Sequence, residues 1–475
     1  MFDPNPTGLP IGAEWVSTED SQEVTFPYNG CPVANAPVGT PELARLAVNE
    51  AVAVKREVAA LPSWARRDIL LGVHRALTEW QAEFEGLLVA ETGKPLLDCR
   101  TEVARTLVTW QAAAEEVSRL HGETVPLDLL PSGEGLTGFW KRKPIGVVVG
   151  IAGFNYPLLL ASHKIAPAIA AGCPVIIKPA PQTPLATLWL VHLVREATGL
   201  PSMAQLVTGD AEVGSTLVTD PRIGAVSFTG SAAVGHRIAK DAAPTKTLLE
   251  LGSNAALVVA GDADLDAAAD AVLRGGFYAS GQACISVQRL LVVDEVADEF
   301  TDRLLARLDE VVIGDPREET TRVSKLIDER STERVMDWIA RAISSGARVL
   351  AGGELADGII RPTVLTDVPD GAACWEEEIF GPVVCLRRVS DVDEAFEQVN
   401  ASRYGLHASV FTGSLNTAHR AVDELEVGGV IVNEVPGFRS DTMPYGGVKD
   451  SGIGREGPRF AIEEFTVTRM AVLRP

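Results

Sequence analysis

One cysteine sits among small residues in Ala279-Ser280-Gly281-Gln282-Ala283-Cys284-Ile285-Ser286, and Glu250 stands upstream of it in Leu249-Glu250-Leu251-Gly252. A thiolate and a carboxylate are what a two-step oxidation of an aldehyde to an acid requires. The thiolate adds to the carbonyl carbon, and the tetrahedral adduct loses hydride to a nicotinamide. The carboxylate then draws a proton from water, which attacks the resulting thioester. Small neighbours let a planar substrate and a nicotinamide ring approach the sulfur from opposite sides. A free cysteine also occurs as a small inert hydrophobe in a core, so Cys284 by itself leaves both readings open.

Positioning such groups takes a large scaffold, and 475 residues are too many for a single hydrophobic core. The formal net charge of -22 disfavours a nucleic-acid partner, which would need clustered Lys and Arg. The acidic residues are scattered rather than gathered into a tail. The cysteines, Cys31, Cys99, Cys173, Cys284, Cys374 and Cys385, have neither CxxC nor zinc-site spacing, so no metal is expected. Their sparseness suits a reducing compartment. Met1-Phe2-Asp3-Pro4-Asn5-Pro6 has no basic or apolar leader pattern, and no apolar run is long enough for a membrane span. A cytoplasmic protein without a membrane partner is the expectation.

The periodicity divides the chain. Pro41 to His121 is helical, with Thr40 as a cap and Pro41 in the first turn. Gly122 to Lys143 has alternating pieces suited to a hairpin or bridging strands. Ile145 to Ile151 and Val175-Ile176-Ile177 are β-branched runs flanking a helix at Tyr156 to Gly172. Pro184 to Thr198 reads as a second helix, capped by Thr183 and stopped by Gly199. Ala204 to Thr208, Ala225 to Phe228, Leu257 to Val259, Leu290 to Val293 and Gly429 to Asn433 continue the β-then-α rhythm. Such alternation predicts an α/β fold, with parallel sheets covered on both faces in two α/β domains, and a small strand-rich extension.

Two local patterns fit a nucleotide. Phe228-Thr229-Gly230-Ser231 lies where a strand gives way to a helix, where free amides attract a pyrophosphate. Its spacing departs from GxGxxG, so an ordinary strand-to-helix turn would read the same way. Lys178 ends a buried-looking strand and would point into the crevice of an open α/β sheet, or simply into solvent.

Seven motifs in one order carry a resemblance over nearly the whole chain. They are Phe154-Asn155-Tyr156-Pro157, Lys178-Pro179, Phe228-Thr229-Gly230-Ser231, Leu249-Glu250-Leu251-Gly252, Gly281-Gln282-Ala283-Cys284, Glu377-Glu378-Ile379-Phe380-Gly381-Pro382 and Pro444-Tyr445-Gly446-Gly447-Val448-Lys449. The sequence resembles the aldehyde dehydrogenase superfamily. The resemblance implies NAD or NADP as cofactor, Cys284 as nucleophile and Glu250 as the base for the deacylating water. Asn155 and the Cys284 amide would form the oxyanion hole, which suits a donor that brings no titratable charge. Glu378 would hold the nicotinamide ribose, with Phe380 as its apolar companion. Ile151, Phe154, Lys178, Pro181, Gly214, Phe228, Gly230, Ser231 and Leu251 complete the implied coenzyme site. Lys164 and Glu456 resemble a proton relay, although a buried Lys–Glu pair is as easily structural.

The same resemblance implies a coenzyme-binding domain (1–118 and 144–250), a catalytic domain (251–432) and oligomerisation segments (119–143 and 433–475). A strand near Phe465 to Leu473 would pair across a subunit boundary in a homodimer or homotetramer. Pro181 stands where many NAD-preferring members carry a glutamate, which leaves NADP use open. Ser253 and Gly153 are further departures.

For the substrate, Arg105 and Arg439 either converge on a short anionic aldehyde or pair with local acids such as Glu102 and Asp441. The surrounding phrases resemble relatives acting on lactaldehyde, glyceraldehyde 3-phosphate, or phosphono- and sulfo-aldehydes. Tyr156 and Ser286 are further candidate substrate contacts, and His163 reads as a satisfied helix-face histidine. Two alternatives remain, a CoA-acylating semialdehyde dehydrogenase and a catalytically silent structural relative. Glu250 argues against the first, and Cys284, Glu250 and Asn155 together argue against the second.

Overall fold

The structure, a computed structural model, describes residues 8–474, so the start read for a leader lies outside the described residues. Two sheets organise it. The first runs in the spatial order Gly452–Ile453, Lys246–Glu250, Ile223–Thr229, Val147–Ile151, Val175–Lys178 and Ala204–Leu206. All its pairings are parallel except that of Gly452–Ile453. From Val147–Ile151 the chain winds outward through Val175–Lys178 to Ala204–Leu206, then returns to pair Ile223–Thr229 on the other side. That reversal opens a crevice at the carboxyl ends of Val147–Ile151 and Ile223–Thr229, where open α/β sheets bind ligands.

The second sheet has the order Arg348–Ala351, Thr363–Thr366, Val383–Val389, Arg289–Val293, Ala256–Val259, His407–Phe411 and Gly429–Val432. Central strands such as Val175–Lys178 and Ala256–Val259 are buried at every position, as expected of strands covered on both faces. A third, antiparallel sheet joins Thr466–Leu473, Thr137–Pro144 and Glu123–Val125. The α/β architecture is the one anticipated. Among the described residues, no helix is long and apolar enough to cross a membrane.

The long helical stretch is four helices, Pro41–Ala60, Ser63–Glu79, Gln81–Thr92 and Leu96–Glu116, broken around Pro62, Trp80 and the Gly93–Pro95 turn. Thr40 caps the first of these, accepting from the Leu43 amide at 3.4 Å.

Two central helices are capped from a distance. In Pro157–Ala171 all fifteen residues are buried, and Gly172 ends it at φ 82°. The Glu102 carboxylate accepts the Leu158 and Leu159 amides at 2.9 and 3.1 Å and pairs with Lys94. The helix Leu185–Thr198 corrects the expected cap. Its first amides, on Leu185 and Ala186, donate to Glu91 at 2.8 and 3.0 Å. Thr183 instead donates to the Phe154 carbonyl at 3.2 Å, tying the helix entry to the crevice loop. A carboxylate can satisfy two end amides at once, where one hydroxyl satisfies one.

Candidate active site

A cavity of about 290 Å³ opens where strand ends of the first sheet face loops from the second. Arg105, Phe154, Asn155, Tyr156, Gly230, Ser231, Glu250, Leu251, Cys284, Glu378, Phe380 and Arg439, all singled out from the sequence, line it.

The cysteine loop is held in an unfavourable backbone shape. Ala279 and Ser280 lie at φ 49° and 57°, left-handed values that raise the energy of a residue with a Cβ by about 1–2 kcal/mol. Three bonds offset this. Asp98 accepts the Ala279 amide at 2.9 Å, Ser280 Oγ accepts the Ser324 amide at 2.9 Å, and Gln282 Oε1 accepts the Ile327 amide at 3.0 Å. Gly281 must be glycine, because a Cβ there would come within 2.1 Å of the Gly381 carbonyl oxygen.

Cys284 Sγ lies 3.2 Å from the Tyr445 hydroxyl, and burial pushes its thiol up to about 11. The Cys284 amide has no hydrogen-bond partner among the described residues. Asn155 Nδ2 donates to the Gln282 carbonyl at 2.8 Å, which anchors the side chain and leaves its second N–H unspent. Glu250 closes the strand Lys246–Glu250, and neither of its carboxyl oxygens has a hydrogen-bond partner among the described residues. Burial, reinforced by the charge of Glu456, pushes it well above the usual carboxylate range.

Behind Glu250 lies a buried charged cluster. Lys164 Nζ donates to Glu456 at 3.0 Å and to Thr229 Oγ1 at 2.7 Å. His163 lies between two carboxylates, Asp441 at 3.2 Å and Glu456 at 3.3 Å, so it is satisfied as the sequence suggested. Against the effect of burial, Lys164 and His163 hold Glu456 well below its ordinary value. His163 and Arg105 do the same for Asp441. Arg105 forks onto Asp441 through Nε at 3.1 Å and Nη2 at 2.8 Å. Arg439 lies 3.5 Å from Glu456 and 3.7 Å above the Tyr445 ring; its Nε is 3.7 Å from Asp441 and makes no hydrogen bond among the described residues.

The crevice has the features a dinucleotide needs. The helix Ala232–Asp241 starts after Ser231 without a side-chain cap, so its first amides are free. A Cβ on Gly230 would strike the Phe228 ring at 2.5 Å, so only glycine lets the backbone lie this close. Ile151 sits in register with both Phe228 and Lys178. Lys178 is buried, has no ion pair among the described residues and packs toward Gly214; burial lowers its ammonium to about 8. Glu378 accepts the Ser253 amide at 3.0 Å, and Phe380 meets Phe154 edge to face at 5.7 Å. Pro181 is exposed and brings no carboxylate to the lysine.

Ser286, read as a substrate contact, lies outside this cavity, and its hydroxyl donates to the Gly275 and Gly276 carbonyls at 3.2 and 3.1 Å. Tyr156 does line the cavity, its ring 3.7 Å from the Lys94 ammonium. Sequence reasoning gave no role to Tyr278 or Tyr445, which also line the cavity. Tyr445 stood in a recognised motif, but nothing local tied it to a cysteine 161 positions away.

A cysteine, a buried carboxyl and amide donors around one cavity, beside a doubly wound crevice, are the parts that an oxidoreductase using a thiol and a dinucleotide needs. The model of the Aldehyde dehydrogenase family matches residues 15–471, and the chain belongs to that family. It is an enzyme that oxidises an aldehyde with NAD or NADP. The 3-sulfolactaldehyde dehydrogenase of Priestia aryabhattai is 40% identical over 470 residues, 98% of each chain. Aldehyde dehydrogenase 21 of Physcomitrella patens, solved in complex with the reaction product succinate, superimposes with a TM-score of 0.96 at 38% identity, covering 100% of this chain and 99% of that one. The NADP-dependent glyceraldehyde-3-phosphate dehydrogenase of Bacillus halodurans, complexed with NADP, gives 0.95 at 32% identity, with 100% and 99% covered.

Proposed function

We propose that this enzyme oxidises a short aldehyde bearing an anionic group, and hydroxylated next to its carbonyl, to the carboxylic acid. The observation that carries this is Arg439, whose buried Nε is 3.7 Å from Asp441 and makes no hydrogen bond among the described residues, in the cavity that also holds Arg105 and Cys284. A carboxylate, phosphate or sulfonate would satisfy that donor. Sulfolactaldehyde, glyceraldehyde 3-phosphate and the aldehyde that yields succinate all carry such an anion, in agreement with the names of the relatives.

In this reading Cys284 Sγ bonds to the carbonyl carbon, and the carbonyl electron pair moves to oxygen. The free Cys284 amide and the second Asn155 N–H donate to that oxyanion. A bound nicotinamide would supply the hydride acceptor for the tetrahedral adduct, and loss of that hydride leaves a thioester on Cys284. Glu250 then takes a proton from water, which attacks the thioester and releases the acid and the thiol. Lys164 and Glu456 move the proton onward from Glu250. Lys178, the free amides after Ser231, and Glu378 would hold the dinucleotide, with Ile151, Phe154, Phe228, Leu251 and Phe380 against it. With no carboxylate at Pro181 to repel a 2′-phosphate, NADP is accepted as well as NAD.

Residues 1–118 and 144–250 form the coenzyme unit in this reading and 251–432 the catalytic unit. Segments 119–143 and 433–475 build a cytoplasmic homodimer or homotetramer. The edge strand Thr466–Leu473, with Val467, Met470, Val472 and Leu473 exposed, supports that assembly.

The test is a panel of neutral and anionic short aldehydes, each with NAD and NADP, on the parent and Cys284→Ser. Anionic aldehydes should give the highest kcat/KM, and the variant should form no NAD(P)H while still binding nucleotide. A preference for long neutral aldehydes would overturn the substrate reading, and turnover by Cys284→Ser would overturn the nucleophile.

A further inference from the structure

The environment of Cys284 opposes the thiolate it needs. Burial raises the thiol, and two carboxyls, Glu250 from the first sheet and Glu378 from the facing loop, add to the penalty. Tyr278 also faces the sulfur and stays neutral. Two groups act the other way, the Arg439 charge and the Tyr445 hydroxyl. If Arg439 turns to an anionic substrate, the hydroxyl is the counterweight that remains.

Tyr445 is built to keep that contact. Its backbone is bridged to Glu456 in both directions, at 3.0 and 2.7 Å. The Arg439 guanidinium covers one face of the ring at 3.7 Å, and His407 meets the ring at 67° with centroids 5.1 Å apart. The hydroxyl has no hydrogen-bond partner other than Cys284 Sγ among the described residues, and the sulfur has no other side-chain partner. Burial holds the phenol in its protonated form, so its O–H is a donor and not a base.

We propose that the Tyr445 hydroxyl donates a hydrogen bond to the Cys284 thiolate and makes it available for attack, which makes Tyr445 a catalytic residue. The proposal rests on Cys284 being the nucleophile. Tyr445 keeps its own proton throughout, and the proton that leaves Sγ passes to water in the open cavity.

The experiment measures alkylation of the free enzyme by iodoacetamide from pH 6 to pH 10, following the Cys284 peptide by mass spectrometry. In that reaction the S–C bond forms, the C–I bond breaks and iodide leaves with its electron pair. Below the thiol midpoint the rate follows the thiolate fraction. A hydrogen bond to a charged group is strong enough for Tyr445→Phe to slow alkylation about ten-fold at each pH of this range, the equivalent of about one pH unit on the thiol. Tyr445→Phe keeps the ring between Arg439 and His407, so its melting temperature should match the parent's. Superimposable pH profiles for Tyr445→Phe and parent would overturn the proposal, even with Cys284→Ser inactive. If Cys284→Ser kept turnover, the nucleophile reading itself would have failed instead.

Discussion

Replacing Glu378 with Gln should make the protein more stable above pH 7, although the residue lines the cavity proposed to take the coenzyme. Burial pushes the Glu378 carboxyl from 4.5 up to about 7, against the opposing pull of the Ser253 amide and Arg334. Between these values the folded chain binds more protons than the unfolded one, so stability falls as pH rises. The contribution is fully present below about pH 4.5 and is lost as pH passes through about 7. At 1.36 kcal/mol per pH unit the loss is roughly 3 kcal/mol, reduced somewhat because the side chain is only partly buried. Glutamine keeps an acceptor for the Ser253 amide and has no charge to desolvate. Thermal unfolding of parent and Glu378→Gln at pH 5 and pH 8 should show the variant's advantage growing by a few degrees toward pH 8. The same variant should weaken nucleotide binding, so stability and affinity move in opposite directions. An advantage that does not change with pH would refute the argument that the carboxyl is held where its charge is unwelcome.

Glu250→Gln should give one rapid equivalent of NAD(P)H per active site and then a steady rate at least about a hundred-fold lower, measured by stopped-flow absorbance. Because burial and the charge of Glu456 push Glu250 well above the usual carboxylate range, parent turnover should rise with pH; an equal steady rate in the variant would remove Glu250 from deacylation. Glu91→Ala leaves the Leu185 and Ala186 amides buried and unpaired, which should destabilise by about 2 kcal/mol or more, while Thr183→Ala loses one hydroxyl bond and about 1 kcal/mol. Melting temperatures in the reverse order would restore Thr183 as the cap.

Much of the chemistry was legible in the sequence because it depends on residue types held in short motifs. Cys284 among small residues, Glu250 at a strand end and Gly230 at a strand-to-helix turn each announce a local backbone shape and a functional group. The strand rhythm was equally legible, since doubly covered strands are apolar at every position. Boundaries were less so. The helical stretch from Pro41 read as continuous, and Thr183 read as a cap because capping hydroxyls are local while Glu91 arrives from another helix.

What the sequence by itself determined is the reaction class, the α/β architecture and the set of groups available to the site. The tertiary structure decided which of those groups share one cavity. It turned Ser286 toward the Gly275 and Gly276 carbonyls, forked Arg105 onto Asp441, left Arg439 Nε 3.7 Å from Asp441 without a hydrogen bond among the described residues and brought the Tyr445 hydroxyl to Cys284. Contacts between residues more than a hundred positions apart leave no local pattern, because they follow from how sheets and loops pack. A side chain's protonation and reactivity depend on that packing more than on its neighbours in the chain.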